Sequence, residues 1–183
     1  MENKNEKIPD FLKGEMMSKI LQDRDCAELI IQTFFQRFDF MVIPNTYDNS
    51  DNIYALDGDD KLCRITPRFL DYFEESTIKD IDSGINLDND TRFINYLLLF
   101  MHDFLQENKS DYYCNVNVVK DKNINQRYKA EMCIINTDYT GVSPFSHLLR
   151  DLKCDDADKI RNRTLRRRIK EILAEEIGTE ENK

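Results

Sequence analysis

The stretch that decides the fold lies at residues 53–65, which read IYALDGDDKLCRI. Two short apolar runs, 53–56 and 62–65, flank an acidic turn that contains Gly58. A turn of glycine and aspartate between two such runs favours a β-hairpin. The stretch therefore predicts two neighbouring antiparallel strands, and the rest of the chain is interpreted around them.

Three further strands are predicted at 40–43, 112–118 and 128–134. The first ends at Pro44, and the other two show the alternation of apolar and polar side chains that a half-buried strand requires. The polar segment 120–125 between them suits a hairpin loop. The sequence thus predicts about five strands, joined mainly by hairpins.

Helices are predicted on both sides of these strands. Residues 10–38 indicate a helical pair, in which Asp25 and Glu28 form a capping box and Phe38 belongs to the core-facing side of the second helix. Helical spacing of apolar residues, or an N-terminal proline, indicates three more. These lie at 66–73, 91–106 and 144–152. The acidic residues 76–90 are interpreted as a loop.

A long amphipathic helix is predicted at 157–177, and Gly178 follows it where a C-cap belongs. Hairpins mixed with helices predict an α+β fold in which helices cover an antiparallel sheet. With 183 residues, 40% of them hydrophobic, the chain can form one domain over 8–178. That domain comprises the helical pair 10–38, a mixed core at 39–153 and the C-terminal helix.

The net charge of −9 is distributed very unevenly along the chain. Residues 48–90 hold twelve acidic side chains and four basic ones, whereas residues 159–170 hold seven basic side chains and no acidic one. Such segregation indicates charged binding surfaces. The candidate acidic face consists of Asp57, Asp59, Asp60, Asp71, Glu74 and Glu75. The candidate basic helix carries Arg161, Arg163, Arg166, Arg167, Arg168 and Lys170.

Each charged surface allows two interpretations. The basic helix either pairs with the acidic 48–90 region, in the same chain or in a homodimer, or it contacts a partner. A protein partner is favoured over nucleic acid, because the chain is acidic overall and no aromatic residues interleave the arginines for base stacking. The acidic face is either a solubilising surface or a mimic of a polyanion that occupies a basic groove.

Recognisable catalytic chemistry is lacking in the sequence. His102 and His147 are the only histidines, the five cysteines are scattered singly, and no phosphate-binding glycine loop occurs. The acidic turn at 57–60 lacks the ligand spacing of a calcium loop. We therefore predict a non-enzyme with no metal and no cofactor. The polar N-terminus and the absence of a long apolar run predict a cytoplasmic protein that does not enter a membrane.

Two segments resemble Rpn-like nucleases of the PD-(D/E)XK superfamily. One runs from Ile8-Pro9-Asp10-Phe11 to Asp23–Ile30, and the other from Tyr139-Thr140-Gly141 through Ser146–Cys154 to Asp158-Lys159-Ile160. The resemblance implies a magnesium site built from an acidic residue on one strand and E-x-K or E-x-Q on the next. The best match is Asn115 or Asn117 with Glu131-Met132-Cys133, so the implied site is degenerate and nuclease activity is only the alternative.

The overall profile, a small acidic protein with a core but no active site, is similar to that of phage-encoded inhibitors, including anti-CRISPR proteins. The hairpin at 112–136 with a terminal helix also suits a PAS-like sensory domain as a third alternative. We expect a binding protein that inhibits or modulates a nucleic-acid-handling enzyme or its ribonucleoprotein.

Overall fold

The computed structural model describes residues 14–47, 50–70, 92–101, 113–119, 129–137, 142 and 144–180. The chain begins with helices α1 (Gly14–Leu21) and α2 (Arg24–Phe35). The strands are β1 (Met41–Ile43), β2 (Ile53–Leu56), β3 (Leu62–Leu70), β4 (Ile94–Met101), β5 (Tyr113–Val119) and β6 (Lys129–Asn136). Helix α3 (Pro144–Leu152), a 3₁₀ turn (Ala157–Lys159) and helix α4 (Arg163–Glu180) follow. The predicted α+β class is confirmed.

The sheet is mixed, which corrects the prediction of an antiparallel one. Its six strands lie in the order β1-β2-β3-β4-β6-β5. The hairpin at 53–65 is present as the antiparallel pair β2–β3, with Ile53 opposite Ile65. Strand β4, however, runs parallel to both of its neighbours, β3 and β6. The five predicted strands are all present, and β4 is the additional one.

Strand β4 replaces the helix predicted at 91–106 over residues 94–101. The run from Ile94 to Met101 is almost continuously apolar, and such a run does not by itself distinguish a buried helix from a buried strand. In the sheet, Leu98 and Leu99 point to opposite faces, and both side chains are fully buried. A parallel strand covered on both faces has this kind of sequence. Residues 102–106, with His102, lie outside the described residues.

The brief helix predicted at 66–73 is also wrong over its described part, because β3 continues to Leu70. Thr66 and Pro67 resemble a helix start, yet Pro67 lies opposite Leu98 in the β3–β4 ladder. Strand β2 pairs with β3 only as far as Ile65, so β3 is an edge on that side beyond this point. A proline at an edge loses no ladder hydrogen bond.

The helical pair is present with different ends. Asp23, rather than Asp25, caps α2, since its Oδ1 accepts a hydrogen bond from the Cys26 N–H at 2.9 Å. Helix α2 ends at Phe35, where Gln36 adopts the left-handed conformation with φ 53° and reverses the chain. Phe38 therefore points into solvent with 83% of its surface exposed, which corrects its predicted place in the core.

The predicted helix at 144–152 is confirmed as α3, but the one predicted at 157–177 is divided. The Asp156 side chain accepts from the Asp158 N–H at 2.9 Å and caps the 3₁₀ turn, after which Ile160 is extended. The acidic loop predicted at 76–90 and the hairpin loop at 120–125 lie outside the described residues.

The four helices of the described residues share one hydrophobic core with the same face of the sheet. Residues of α2 lie at its centre. The Phe34 ring contacts the Phe100 ring edge-on at 5.6 Å and stacks on Phe145 of α3 at 6.2 Å. Tyr96, Leu98 and Phe100 give this core one face of β4, and helices α1, α3 and α4 pack around α2.

The central position of β4 leads to a prediction about stability. Replacing Leu98 by alanine leaves a cavity in the fully buried core, so we expect the free energy of unfolding to fall by about 2–5 kcal/mol. Urea denaturation measures this loss. Val142→Ala is the control, since Val142 is 92% exposed and should change stability by no more than about 0.5 kcal/mol. Equal stabilities of the two variants would contradict the central position of β4.

Candidate functional site

Helix α4 carries the basic segment and is anchored firmly in the core. Leu165, Ile169 and Ile172, which recur at helical spacing, are fully buried. This face packs against α1 and α2. The predicted apolar stripe is thus confirmed, and the arginines between these residues are held on a fixed backbone.

The entry into α4 is fixed by a buried carboxylate that the sequence does not single out. Asp151, at the end of α3, is only 6% exposed. Its Oδ1 accepts from the Arg161 N–H at 3.1 Å, and its Oδ2 accepts from the Asn162 N–H at 2.7 Å. Asn162 in turn caps the helix, because its Oδ1 accepts from the Leu165 N–H at 3.1 Å. Two polar side chains therefore position the first arginines.

Three of the predicted basic residues are paired within the chain. Arg167 Nη2 lies 3.4 Å from carboxylate oxygens of both Asp23 and Asp25, at the start of α2. Arg168 is largely buried and contacts the Lys19 carbonyl together with two acids of its own helix. Lys170 pairs with Asp158. These cations hold α4 to α1, α2 and the preceding turn.

The other three arginines form what we call the arginine row: Arg161, Arg163 and Arg166. Arg161 and Arg163 are exposed, and Arg166 is partly exposed. In the described part of the chain, no carboxylate lies within ion-pair distance of any of them. Residues three apart on a helix share a face, so Arg163 and Arg166 point to the same side of α4.

The arginines of α4 do not pair with the described part of the 48–90 region, residues 50–70. Their partners among the described residues are the acids at the start of α2 and acids of α4 itself. Intramolecular pairing was one of the two interpretations of the basic helix, but its partner segment differs from the predicted one. Nothing in the spacing of Asp23 and Asp25 indicates α4 as their partner, because the helices are about 140 residues apart in sequence.

The candidate acidic face is only partly a surface. Asp57 is buried at 8% exposure, and its Oδ1 accepts from the N–H groups of Asp59 and Lys61 at 3.0 and 2.9 Å. It stabilises the turn, therefore, and is not free for a partner. Asp59 is exposed and pairs with Lys61, and Asp60 is exposed with a left-handed φ of 58°. Asp71, Glu74 and Glu75 lie outside the described residues.

Arg37, beside the exposed Phe38, is the centre of a cluster of contacts that the sequence patterns do not predict. Arg37 makes a bidentate pair with Asp39, at 3.1 and 2.8 Å, and donates from Nη1 to the Tyr96 hydroxyl at 2.8 Å. The Arg37 hydrogen bonds lower the pKa of Asp39 to about 2. Arg37 and Asp39 are two residues apart, so their ion pair could be expected from the sequence. The contact of Arg37 with Tyr96 of β4 could not.

Most of the thiols in the described part of the chain are buried. Cys26, Cys63 and Cys133 are buried free thiols, and burial raises the pKa of Cys26 and of Cys63 to about 12. Those two thiols are therefore protonated at neutral pH and are poor nucleophiles. His147 is exposed on α3. Within the described residues, no three His, Cys, Asp or Glu side chains are grouped as a metal site would need.

The positions related to the PD-(D/E)XK motif lie on neighbouring strands. In the antiparallel β5–β6 ladder, Asn117 is opposite Glu131 and Asn115 is opposite Cys133. The register thus places together the residues that the sequence match paired.

In comparisons with known proteins, no family model, no curated protein and no solved structure matches the chain. Among the helices of the described residues, none combines the length and the apolar content needed to cross a bilayer. The surfaces described above are therefore the basis for the functional inference.

The Asp151 cap leads to a second prediction. Asp151→Ala leaves two partly buried N–H groups without their acceptor, so we expect the free energy of unfolding to fall by about 1–3 kcal/mol. Asp151→Asn keeps one acceptor and should lose less. Asp155→Ala, at an exposed neighbouring position, is the control in the same urea titrations. A loss in Asp151→Ala no greater than in this control would show that the carboxylate does not hold the entry to α4.

Proposed function

We propose that this chain is a non-enzymatic binding protein that modulates an enzyme acting on nucleic acids, such as a CRISPR effector nuclease. The observation that carries the proposal is the arginine row, Arg161, Arg163 and Arg166, which has no acidic partner among the described residues although the chain contains 35 acidic side chains. The choice of enzyme class follows the similarity of profile to phage-encoded inhibitors.

The chemistry of the row suits a ligand rich in phosphate or carboxylate groups. A guanidinium group is planar, always charged and able to form two parallel hydrogen bonds to either group. The row is also organised in advance, because Asp151 and Asn162 fix the backbone at its start and Leu165 anchors the helix. The backbone of such a row therefore loses little conformational entropy when it meets its ligand.

A complex of protein and nucleic acid fits this chain better than nucleic acid alone. The net charge of −9 repels a free polyanion, and three arginines form only a short contact. In an enzyme with bound nucleic acid, phosphates lie next to basic protein grooves. The arginine row can contact the former while exposed carboxylates elsewhere on the same chain face the latter.

The proposal is tested with a CRISPR effector ribonucleoprotein, the nuclease without its guide, and a guide-like RNA duplex. Wild-type protein should bind the ribonucleoprotein, and the variant Arg161→Gln/Arg163→Gln/Arg166→Gln should bind it about tenfold more weakly, a loss of ~1.4 kcal/mol. The matched control, Lys153→Gln/Lys159→Gln/Lys170→Gln, removes the same charge from exposed cations that already have partners. Its affinity should stay within about twofold of the wild type, since such pairs contribute little.

Two results would count against this function. Failure to bind any of the three targets at low salt would exclude the proposed enzyme class. Binding to the RNA duplex as tight as to the ribonucleoprotein, with a log–log salt slope of about −3, would instead make the chain a direct nucleic-acid binder.

A metal-dependent nuclease is the second candidate, and the β5–β6 register favours it by placing Asn117 opposite Glu131. Incubating the protein with plasmid DNA and with RNA, in magnesium or manganese, tests this function. Cleavage that persists in Glu15→Ala, where the side chain is 88% exposed, but is lost in Glu131→Ala would identify an enzyme. We expect no cleavage, because asparagine and cysteine occupy the places of the acidic ligand and the lysine.

A further inference from the structure

Phe38 is the most exposed aromatic side chain among those whose burial the structure describes, with 83% of its surface in water. Single exposed apolar residues are common on protein surfaces and need no explanation by themselves. Phe38 differs from an ordinary exposed residue in two respects. Its backbone is fixed on both sides, and a charged turn lies beside it.

The backbone around Phe38 is fixed by its two neighbours. The guanidinium of Arg37 binds Asp39 through two hydrogen bonds, so the residues before and after Phe38 are tied to each other. The same guanidinium donates to the Tyr96 hydroxyl and lies 4.6 Å from the centre of the Phe40 ring. Tyr96 belongs to β4, so the loop is tied to the centre of the sheet.

Asp39 also joins this loop to the acidic turn, residues 57–61. Its Oδ2 accepts from the Gly58 N–H at 3.1 Å. A Cβ atom at Gly58 would lie 2.9 Å from that oxygen, so glycine is what allows this approach. The turn carries three carboxylates and one ammonium group. Asp59 and Asp60 are exposed, as is Lys61, which pairs with Asp59.

We propose that Phe38 and the acidic turn form a docking surface for a basic segment of a partner protein that carries large apolar residues. The ring is an aromatic anchor of the kind that dominates protein interfaces, and its fixed backbone lowers the entropic cost of binding. The carboxylates beside it select lysine or arginine side chains of that segment. Nucleic acids and anionic membranes do not fit, because the turn repels their phosphates.

This surface is separate from the arginine row. Arg167 of α4 pairs with Asp23 and Asp25 at the start of α2, whereas Phe38 follows the end of α2. Twelve helical residues separate the two ends, a distance of about 18 Å. The docking surface therefore does not depend on the function proposed for the arginine row, and different variants test it.

The experiment uses a random peptide library displayed on phage and selected against the wild-type protein. We expect enriched peptides to combine large apolar residues with lysine or arginine. Calorimetry with one synthetic enriched peptide should show binding about thirtyfold weaker in Phe38→Ser. In Asp59→Asn/Asp60→Asn the binding should be weaker and less sensitive to salt. Asparagine tolerates the left-handed conformation of residue 60, so this second variant should fold normally.

Val142→Ser is the matched control, because Val142 is 92% exposed and its replacement should leave binding unchanged. Enriched peptides that are acidic, or that bind wild type and Phe38→Ser equally, would overturn the proposal. So would sedimentation that shows self-association of the wild type but not of Phe38→Ser, since the occupant would then be a second copy of this chain.

Discussion

Burial of the apolar face of α2 against the sheet is the interaction on which the other features depend. Ile30, Ile31 and Phe34 are almost completely enclosed, and this short helix contacts β1, β6, α3 and α4. Removing several large side chains from water contributes about 1.5–3 kcal/mol for each one, more than any of the surface ion pairs in the chain. The two ends of α2 consequently determine where the two charged surfaces lie.

Helix α2 also closes one edge of the sheet. Edge strand β1 is only three residues long, and its free backbone groups meet side chains of α2. The Val42 N–H donates to Glu28 Oε2 at 3.1 Å, and Gln32 Nε2 donates to the Phe40 carbonyl at 2.8 Å. Residues 28 and 32 lie one turn apart on the helix, so they act in place of a neighbouring strand. An edge treated in this way does not readily pair with another chain.

The charges of the chain fall into two groups with different roles. Most described cations near α4 hold the fold together, as Arg167 and Arg168 do through the start of α2 and the end of α1. Arg161, Arg163 and Arg166 remain outside these contacts. A similar division separates the buried Asp57, which stabilises its turn, from the exposed Asp60. Segregation of charge along the sequence therefore does not indicate which charged residues are available to a partner.

Much of this protein follows from local sequence. The hairpin at 53–65, the strands with alternating side chains, α3 and the buried stripe of α4 were all predicted, because glycine turns and the periods of strand and helix are local properties. The basic segment at 159–170 is also visible in the sequence, but the division of its arginines into paired and unpaired ones is not.

Packing between segments that are distant in sequence determined the features that were not predicted. The run at 94–101 became a strand because neighbours on both sides offered parallel partners, and an apolar run without periodicity allows either structure. Phe38 lies in solvent and not in the core because α2 ends at Phe35, about one turn earlier than predicted. Arg37 fixes the following loop, because it binds Tyr96, 59 residues away in sequence. The sequence by itself determined which segments were charged and which were apolar. Only the tertiary structure decided which charges and which aromatic ring remain open to a partner, because that depends on residues brought together from distant parts of the chain.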